Sequence, residues 1–367
     1  KKNFTLLLSI LLLSVSFAQN GAPAVPYYNS FNWTLTGSNL KNALATKIIA
    51  THTHLLSYSD TRDGLSIIDI DPTDGTHTNL LLLYGYSNDS CPTNTLNDKD
   101  HRTRDYTMFD NGSAQSCLWN REHTFPKALG NPDLGTTGPG ADLHHLRASD
   151  KKRNADRNND MFFSGSGNSF ESGTNWYPGD EWKGDVARMM MYMYLRYGNQ
   201  CLPTAVGVGN IVASDSNMID LFLQWNAEDP VSQFEDNRNT YLGNASNTYG
   251  QGNRNPFIDN PYLATVIWGG PIAQNRWPAI YLSTSTFDLE NAISIYPNPS
   301  NNGTITIDSD VELDEIDIIT INGQVVQQIK NPSNNVKSYS VSNMQKGFYF
   351  IKINSNQQTV TKKVIVN

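Results

Sequence analysis

The sequence has 367 residues and a formal net charge of −8, with 35 acidic side chains against 27 basic ones. An acidic chain does not attract nucleic acid through its overall charge, so a nucleic-acid site would need a local basic patch. No stretch reaches the roughly 18 apolar residues that a membrane-spanning helix needs, and we therefore expect no transmembrane segment.

Residues 1–18 are predicted to be a secretory signal peptide. Lys1 and Lys2 precede a short apolar run over residues 6–13, and Ser16 and Ala18 supply small side chains before the expected cleavage site. A buried N-terminal strand is the alternative interpretation. The mature chain is expected to begin near Gln19, and we expect the protein to be secreted or held at the outer cell surface.

The three cysteines predict one disulfide bridge and one free thiol, because an odd number cannot pair completely. Cys91 and Cys117 form the favoured pair, since both lie in the loop-rich stretch just before the motif at residues 119–123. Closing that loop would contribute roughly 3 kcal/mol in the chain-entropy view. The cysteines lack the paired spacing of zinc sites.

A carboxylate beside a histidine, followed later by an asparagine, supplies parts for metal-assisted phosphodiester cleavage. The imidazole of His123 can take a proton from water near neutral pH. Glu122 and Asn154 offer hard oxygen ligands, which suit magnesium or calcium better than zinc. Successive strand residues point to opposite faces, so Glu122 and His123 can share one site only if the strand ends or bulges there. Pro126 is consistent with an early end.

Residues 147–157 form a local basic run in this acidic chain. Five basic residues, Arg147, Lys151, Lys152, Arg153 and Arg157, stand against Asp150 and Asp156. The run predicts phosphate contacts that position a nucleic acid without reading its sequence. A solvated charged face is the alternative interpretation.

Two helices and one loop are predicted downstream. Residues 180–197 carry apolar side chains at near-helical spacing, and Gly198 is a plausible stop. Residues 216–225 give the second helix. Residues 239–255 are rich in Asn, Gly and Tyr and indicate a surface loop.

The composition changes near residue 285, where short alternating strands begin. These strands are separated by Asn, Gly and Ser, and Asn322-Gly323 is a strong signal for a tight turn. We therefore divide the chain into a main domain at residues 19–282, a linker at 283–292 and a small β-sandwich at 293–367.

The main domain carries five motifs in order: Glu122-His123-Thr124-Phe125-Pro126, Asp142-Leu143-His144-His145-Leu146, Asn154-Ala155-Asp156-Arg157-Asn158-Asn159, Trp225-Asn226-Ala227-Glu228-Asp229-Pro230-Val231 and Gln251-Gly252-Asn253-Arg254-Asn255-Pro256-Phe257-Ile258-Asp259. Over roughly residues 40–270 these motifs resemble the bacterial endonuclease I family of secreted or periplasmic nucleases, which have a ββα-metal (His-Me finger) active site. The resemblance implies an α+β fold, with the finger followed by a helical lobe.

This resemblance and the residue chemistry together give a set of site assignments. We expect His123 to be the general base, and Arg157 to hold the scissile phosphate or the leaving oxygen. Mg²⁺, or Ca²⁺ or Mn²⁺, would bind Glu122 and Asn154, while Asp142 and His144 orient the second strand. The expected nucleic-acid contacts are Arg147, Lys151, Lys152, Arg153 and Arg254. A helix cap is the alternative role for Asn154, and a salt bridge is the alternative for Arg157.

Two positions depart from the family pattern. His145 stands where some relatives have Asn. Some relatives also carry a phosphate-clamping Arg between the two strands of the finger, whereas no Arg lies between His123 and Asp142 here. The clamping role is therefore unassigned.

The tail resembles the C-terminal sorting domain of type IX secretion, so the type IX machinery is an expected partner. The resemblance lies in Tyr296-Pro297-Asn298-Pro299, Asn322-Gly323-Gln324, Lys346-Gly347-Phe348-Tyr349 and Lys362-Lys363-Val364. A sugar- or cell-wall-binding sandwich is the alternative.

The favoured function is a secreted, metal-dependent, largely sequence-non-specific endonuclease acting on DNA, with RNA as a second candidate substrate. We expect a monomer. The alternatives are a metal-dependent phosphodiesterase acting on small or lipid substrates, which would have a narrow pocket without a basic groove, and a non-enzymatic surface adhesin.

Overall fold

The computed structural model describes residues 22–85, 102–112, 117–281, 293–309, 311, 313–330, 332, 338–355 and 358–367. The predicted signal peptide, Cys91 and the predicted linker at residues 283–292 lie outside these ranges. The chain divides into two units between Ile280 and Tyr281, and each unit is described separately below.

The helices and strands of the N-terminal unit follow in chain order. The helices are α1 (Gly37–Thr51), α2 (Tyr58–Ile68), α3 (Lys151–Arg157), α4 (Lys183–Tyr197), α5 (Asp220–Glu228), α6 (Gln233–Leu242), α7 (Pro256–Asp259) and α8 (Tyr262–Trp268). The strands are β1 (Asn79–Leu81), β2 (Thr103–Asp105), β3 (Trp119–His123), β4 (Leu146–Asp150), β5 (Met161–Phe162), β6 (Phe170–Ser172), β7 (Asn175–Tyr177), β8 (Ile211–Val212) and β9 (Asp215–Ile219). Helices and short strands are thus mixed, as an α+β fold requires.

The central helix of this unit is α4. Every side chain from Gly184 to Leu195 is buried, which is the burial expected of a helix surrounded by other elements. The helix ends at Gly198, whose φ of +57° lies in the left-handed region that glycine adopts without a steric penalty. The predicted helix at residues 180–197 is confirmed, with its first turn starting three residues later.

One hydrophobic cluster fixes β3 and β4 in place. Trp119 of β3 and Leu146 and Ala148 of β4 pack with Leu65 of α2 and Leu80 of β1. Because these side chains are buried on the inner face of the two strands, the strand ends cannot move independently of the core.

A buried ionic network adds a second set of ties between the same elements. Asp69, at the end of α2, accepts hydrogen bonds from the backbone of Ala148 at 2.7 Å and from the side chain of Arg147 at 3.2 Å, and it also pairs with Arg238. Arg147 reaches Asp185 of α4 at 3.1 Å. Removing one member would leave its partner charged and buried, so the network is sensitive to single substitutions.

Two sequence predictions for this unit are wrong in part. Ser216 to Ile219 belong to β9, and the helix α5 starts only at Asp220, because Ile219 pairs with Ile211 of β8 in a hairpin. Strand pairing here outweighs the helical spacing of the apolar residues.

The predicted surface loop at residues 239–255 begins inside α6 and then turns inward. Gln251, Asn253 and Asn255 are fully buried. Their side-chain amides donate to Asp142, to the hydroxyl of Tyr192 and to the carbonyl oxygen of Arg188, so these buried polar groups are hydrogen-bonded.

The C-terminal unit consists of two antiparallel sheets around one core. Its strands are β10 (Ile293–Tyr296), β11 (Ile305–Ser309), β12 (Glu315–Thr320), β13 (Val325–Lys330), β14 (Ser338–Val341), β15 (Gly347–Ser355) and β16 (Gln358–Val366). One sheet has the order β10-β11-β14 and the other β13-β12-β15-β16. Inward side chains of both sheets form a single apolar cluster. The predicted tight turn joins β12 to β13, with Gly323 at φ +81°.

Candidate active site

Strands β3 and β4 form a two-stranded antiparallel sheet that leads directly into α3. Glu122 lies opposite Arg147, and His123 lies opposite Leu146. Asp150 caps α3 by accepting hydrogen bonds from the backbone N–H groups of Lys152 and Arg153, both at 3.0 Å. Strand β4 therefore runs into α3 with no residue between them, while β3 is held beside β4 by strand pairing.

His123 is the last residue of β3. Its Nε2 lies 3.0 Å from the carbonyl oxygen of Gly140, and a carbonyl can only accept, so Nε2 must carry the hydrogen. The neutral ring then has its basic lone pair on Nδ1. Burial lowers the pKa of His123 to about 3, with His145, Lys127 and Arg121 also disfavouring the charged form.

The partner of His123 is a turn that requires glycine. A Cβ added at Gly140 would lie 2.1 Å from the carbonyl oxygen of Gly135, a distance no side chain can tolerate. The absence of a side chain lets the turn fold tightly and present its carbonyl to the imidazole.

Glu122 is buried beside two polar side chains. Tyr84 donates its hydroxyl to Glu122 Oε1 at 3.1 Å, and Arg157 Nε lies 3.4 Å from the same oxygen. Burial raises the pKa of the Glu122 carboxyl, while the charge of Arg157 opposes that shift. Both close neighbours contact Oε1.

Asn154 projects from α3 back to β3. Its Nδ2 donates to Oδ1 of Asn120 at 2.7 Å and to the carbonyl oxygen of Arg121 at 3.2 Å. With the nitrogen held in this way, the amide oxygen Oδ1 is the acceptor end of the group. The predicted helix-cap alternative does not apply, since Asp150 caps this helix.

These three residues meet in one open cleft of about 310 Å³. The strand-end prediction is confirmed in this respect, because Glu122 and His123 both line it. The lining residues are Arg121, Glu122, His123, Pro126, Lys127, Ala128, Asp133, Asn154, Ala155, Asn158 and Asn159.

The oxygen atoms of Glu122 and Asn154 are hard donors of the kind that suits magnesium or calcium. Zinc favours sites built from three or four His, Cys, Asp or Glu side chains. Within the described ranges no group of three or more such side chains could hold a metal ion. One carboxylate and one amide oxygen leave most coordination positions to water and substrate, as magnesium prefers.

The predicted basic contacts are placed very differently from one another. Arg147, Arg157 and Arg254 are buried, and each is paired with a carboxylate: Arg147 with Asp69 and Asp185, Arg157 with Glu122, and Arg254 with Asp259 at 2.6 Å. A buried, paired guanidinium has no surface to offer to a phosphate. None of these three lines the cleft.

The remaining basic residues of the run are more accessible. Lys151 contacts Asp110 at 3.0 Å, and Lys152 contacts Asp156 at 2.8 Å with 52% of its side chain exposed. Arg153 is half-buried and donates to the carbonyl oxygen of Ser169 at 2.7 Å. Lys152 is thus the most exposed of these cations.

Asp142 and His144 lie in the protein interior and do not line the cleft. Asp142 accepts hydrogen bonds from Tyr192 at 2.8 Å, Tyr197 at 2.9 Å and Gln251 at 2.9 Å. His144 Nε2 lies 3.0 Å from the carbonyl oxygen of Asn253. These bonds join the segment before β4 to α4 and to the inward loop, in keeping with an orienting role.

Sequence reasoning missed Lys127. It follows Pro126 in the turn after β3 and lines the cleft, and its charge helps to lower the pKa of His123. Its position could have indicated this role, because Lys127 follows His123 by four residues and comes directly after Pro126.

Of the predicted disulfide, Cys117 is disulfide-bonded, and Cys201 is free and buried. Cys91 lies outside the described residues. In the part of the chain that the structure covers, no helix has the length and apolar character needed to span a bilayer.

The C-terminal unit is similar to known sorting domains. Residues 294–367 match the family described as a secretion system C-terminal sorting domain. A solved structure of PorZ, a surface component of the type IX secretion system of Porphyromonas gingivalis, covers 22% of this chain and 12% of its own, with 13% identity and a TM-score of 0.19. The sorting-domain match and the exported relatives below indicate a secreted or cell-surface protein.

The N-terminal unit has clear relatives. An extracellular ribonuclease of Bacillus subtilis is 36% identical over 263 residues, which cover 67% of this chain and 82% of that protein. One from Bacillus amyloliquefaciens is 38% identical over 245 residues, covering 64% of this chain and 75% of its own. The family described as Endonuclease I matches residues 36–262. The chain that carries this cleft is therefore a nuclease, a phosphodiester hydrolase, and belongs to the Endonuclease I family.

Proposed function

We propose that this nuclease is a secreted, metal-dependent endonuclease that cleaves DNA and RNA with little sequence preference, using a ββα-metal site. The observation that carries the proposal is the arrangement of His123 in the cleft. Its Nε2 is committed to the Gly140 carbonyl, so Nδ1 is the basic nitrogen, and Glu122 and Asn154 line the same cleft.

In this proposal His123 acts as the general base. Because Nε2 carries the hydrogen, Nδ1 holds the lone pair that can accept a proton from the water that attacks phosphorus. The Gly140 carbonyl fixes the ring against rotation and stabilises the positive charge that the ring gains during the transfer.

Glu122 and Asn154 would hold the divalent cation, with Mg²⁺ the best fit to their oxygen atoms. The Endonuclease I family is generally metal-dependent. When bound, such an ion neutralises the charge that builds on the phosphate oxygens. Arg157 serves here as the support of Glu122, because its guanidinium is buried against the carboxylate rather than offered to substrate.

Two features support a broad substrate range. The two relatives are named ribonucleases, which favours RNA as a substrate. The sequence motifs resemble those of the endonuclease I family, which favours DNA. Lys127 in the cleft and Lys152 on α3 offer charge to a phosphate backbone, and such contacts position nucleic acid without reading its bases.

The test is degradation of plasmid DNA and of a structured RNA by the purified protein, with and without chelator. We expect activity with Mg²⁺, its loss in excess chelator and its return on adding Mg²⁺ or Mn²⁺. His123→Ala should lower the rate by roughly 10²–10⁴-fold while nucleic-acid binding persists. Full activity in chelator would refute the metal, and a His123→Ala rate above a tenth of wild type would refute the base.

A further inference from the structure

We propose that His145 is a positioning residue: it holds the turn whose carbonyl fixes the tautomer and orientation of the His123 ring. The proposal rests on the function proposed above for His123. Nothing in the sequence motif alone assigns a role to His145.

Adjacent carbonyls of one turn each receive one imidazole. His145 Nε2 lies 2.7 Å from the carbonyl oxygen of Pro139, and His123 Nε2 lies 3.0 Å from that of Gly140. Because both carbonyls can only accept, both Nε2 atoms carry the hydrogen. The centroids of the two rings are 5.6 Å apart. The His145 ring therefore holds the turn at Pro139, and the next carbonyl of the same turn contacts the His123 ring.

The chemistry of His145 points to this bond as its purpose. The residue is fully buried, and among the described residues its Nδ1 has no hydrogen-bond partner. A ring that served only to fill space would be better replaced by an apolar one, since a buried unpaired nitrogen destabilises the fold. The contact with the carbonyl oxygen of Pro139 is the hydrogen bond that the His145 ring makes within the described part of the chain.

The backbone of His145 ties it to the strand that carries the base. Its carbonyl oxygen accepts a hydrogen bond from the N–H of Thr124 at 3.3 Å, and Thr124 directly follows His123. His145 is therefore anchored to the end of β3 through its main chain and to the turn through its ring. It connects the two partners of the His123–Gly140 hydrogen bond.

The turn is fixed only in part by its own backbone. The N–H of Gly140 donates to the carbonyl oxygen of Thr137 at 3.1 Å, but Gly138, with φ +53°, and Gly140 flank Pro139. Glycine has more accessible backbone conformations than any other residue, so contacts from outside add to the order of the turn. Without the His145 bond, the Gly140 carbonyl would lose its fixed place, and His123 would populate both neutral tautomers.

The first test measures the tautomer directly, in the full-length protein without substrate or metal. In ¹⁵N NMR of the histidine rings, wild-type His123 should have a protonated Nε2 and an unprotonated Nδ1. In His145→Phe the two ¹⁵N shifts of His123 should move towards each other. His145→Gln should retain the wild-type pattern better than His145→Asn, because the Gln amide nitrogen reaches about as far as Nε2, whereas that of Asn reaches only as far as Nδ1.

A matched control is His54→Gln, which alters another histidine–carbonyl contact, Nδ1 of His54 to the carbonyl oxygen of Gly250 at 2.9 Å. This variant should leave the His123 shifts unchanged. If His145→Phe does not fold, the Gln and Asn variants carry the same comparison.

Kinetics provide the second test. His145→Phe should lower kcat by roughly 10–100-fold, the loss typical when a group that orients a functional histidine is removed, and KM should change by less than about twofold. His145→Gln should recover most of kcat. Any of three results would overturn the inference. The first is a protonated Nδ1 on His123 in the wild type, and the second is unchanged His123 shifts in a folded His145→Phe variant. The third is an equal loss of kcat in the Phe and Gln variants.

These results separate the two proposals. If His145→Phe changes the His123 tautomer but His123→Ala remains active, the positioning role stands and the base assignment fails. If His123→Ala is inactive, but the His123 tautomer is the same in the wild type and in His145→Phe, the base assignment stands and the positioning role fails.

Discussion

The polar side chains in and around the cleft divide into those that we propose to face substrate and those that hold other side chains. His123 and Asn154 line the cleft with one nitrogen each committed to the protein, which leaves Nδ1 of His123 and Oδ1 of Asn154 for chemistry. Arg157 lies behind them and contacts Glu122. Removing a residue of the first group should therefore have a different effect from removing a residue of the second group.

Asn154→Ala should raise the metal concentration that gives half-maximal activity, because one of two proposed oxygen ligands is lost. The expected increase is roughly 10-fold or more, the order seen when groups that support a metal site are removed. A titration of activity against Mg²⁺ measures it. Asn120→Ala is the matched control, since it removes the anchor of the Asn154 amide and should have a smaller effect. An unchanged Mg²⁺ requirement in Asn154→Ala would remove it from the ligand set.

The exposed and buried cations should also respond differently. Lys127→Ala and Lys152→Ala should each weaken nucleic-acid binding for all sequences alike and reduce the slope of log affinity against log salt by about one. The pair of exposed Lys152 with half-buried Asp156 lies at the surface and is worth little, so this lysine can exchange its partner for a phosphate. Filter binding or fluorescence anisotropy across a salt series gives the slopes.

Arg147→Ala is the comparison for that experiment. Its guanidinium is buried between Asp69 and Asp185, so its loss should lower the free energy of unfolding and leave the salt slope of the folded protein unchanged. A slope that falls by one in Arg147→Ala, or stays constant in both lysine variants, would contradict this division of the basic run.

Among the elements, α3 determines where Asn154 lies. The helix has only seven residues, and Asp150 caps it with two backbone hydrogen bonds and pairs with Arg104 at 3.1 Å. A helix this short is stable only through its cap and its packing. The cap therefore supports the proposed metal site from a distance.

Asp150→Ala should destabilise the protein by about 1 kcal/mol through the cap alone, with a further loss from leaving Arg104 without this carboxylate. Denaturant unfolding would measure the change as a lower midpoint with an unchanged slope. Asp150→Asn keeps an oxygen that can accept the cap hydrogen bonds and should lose less. Equal stability of the Ala variant and the wild type would show that α3 does not depend on this cap.

The whole molecule consists of two units whose apolar cores are distinct. The C-terminal sheets enclose a cluster made of residues from Ile293 onward, and this unit matches a sorting domain. The residues that we propose for catalysis and metal binding all lie in the other unit, within the Endonuclease I match. Catalysis and export should therefore be separable.

Truncation after Leu282 should leave a folded nuclease with wild-type activity per molecule that is no longer delivered across the outer membrane. The comparison needs circular dichroism, a plasmid assay on purified protein and fractionation of the producing cells. An insoluble or inactive truncation would mean that the tail is part of the catalytic fold, and normal delivery would remove its sorting role.

Features that depend on neighbours along the chain could be predicted from the sequence. The end of β3 at His123, the stop at Gly198 and the Asn322-Gly323 turn each follow from local conformational preferences. The family motifs have the same local character. They could therefore be identified without coordinates.

Long-range packing sets which of these residues line the cleft and which are buried. The partners of Arg147 lie 78 and 38 residues away in the chain, so neither its burial nor that of Arg157 could be deduced from a count of charges. The same holds for β9, where pairing with β8 replaced a helical pattern, and for the carbonyl of Gly140 beside His123. Burial and hydrogen-bond partners are set by long-range packing, which the local pattern does not encode.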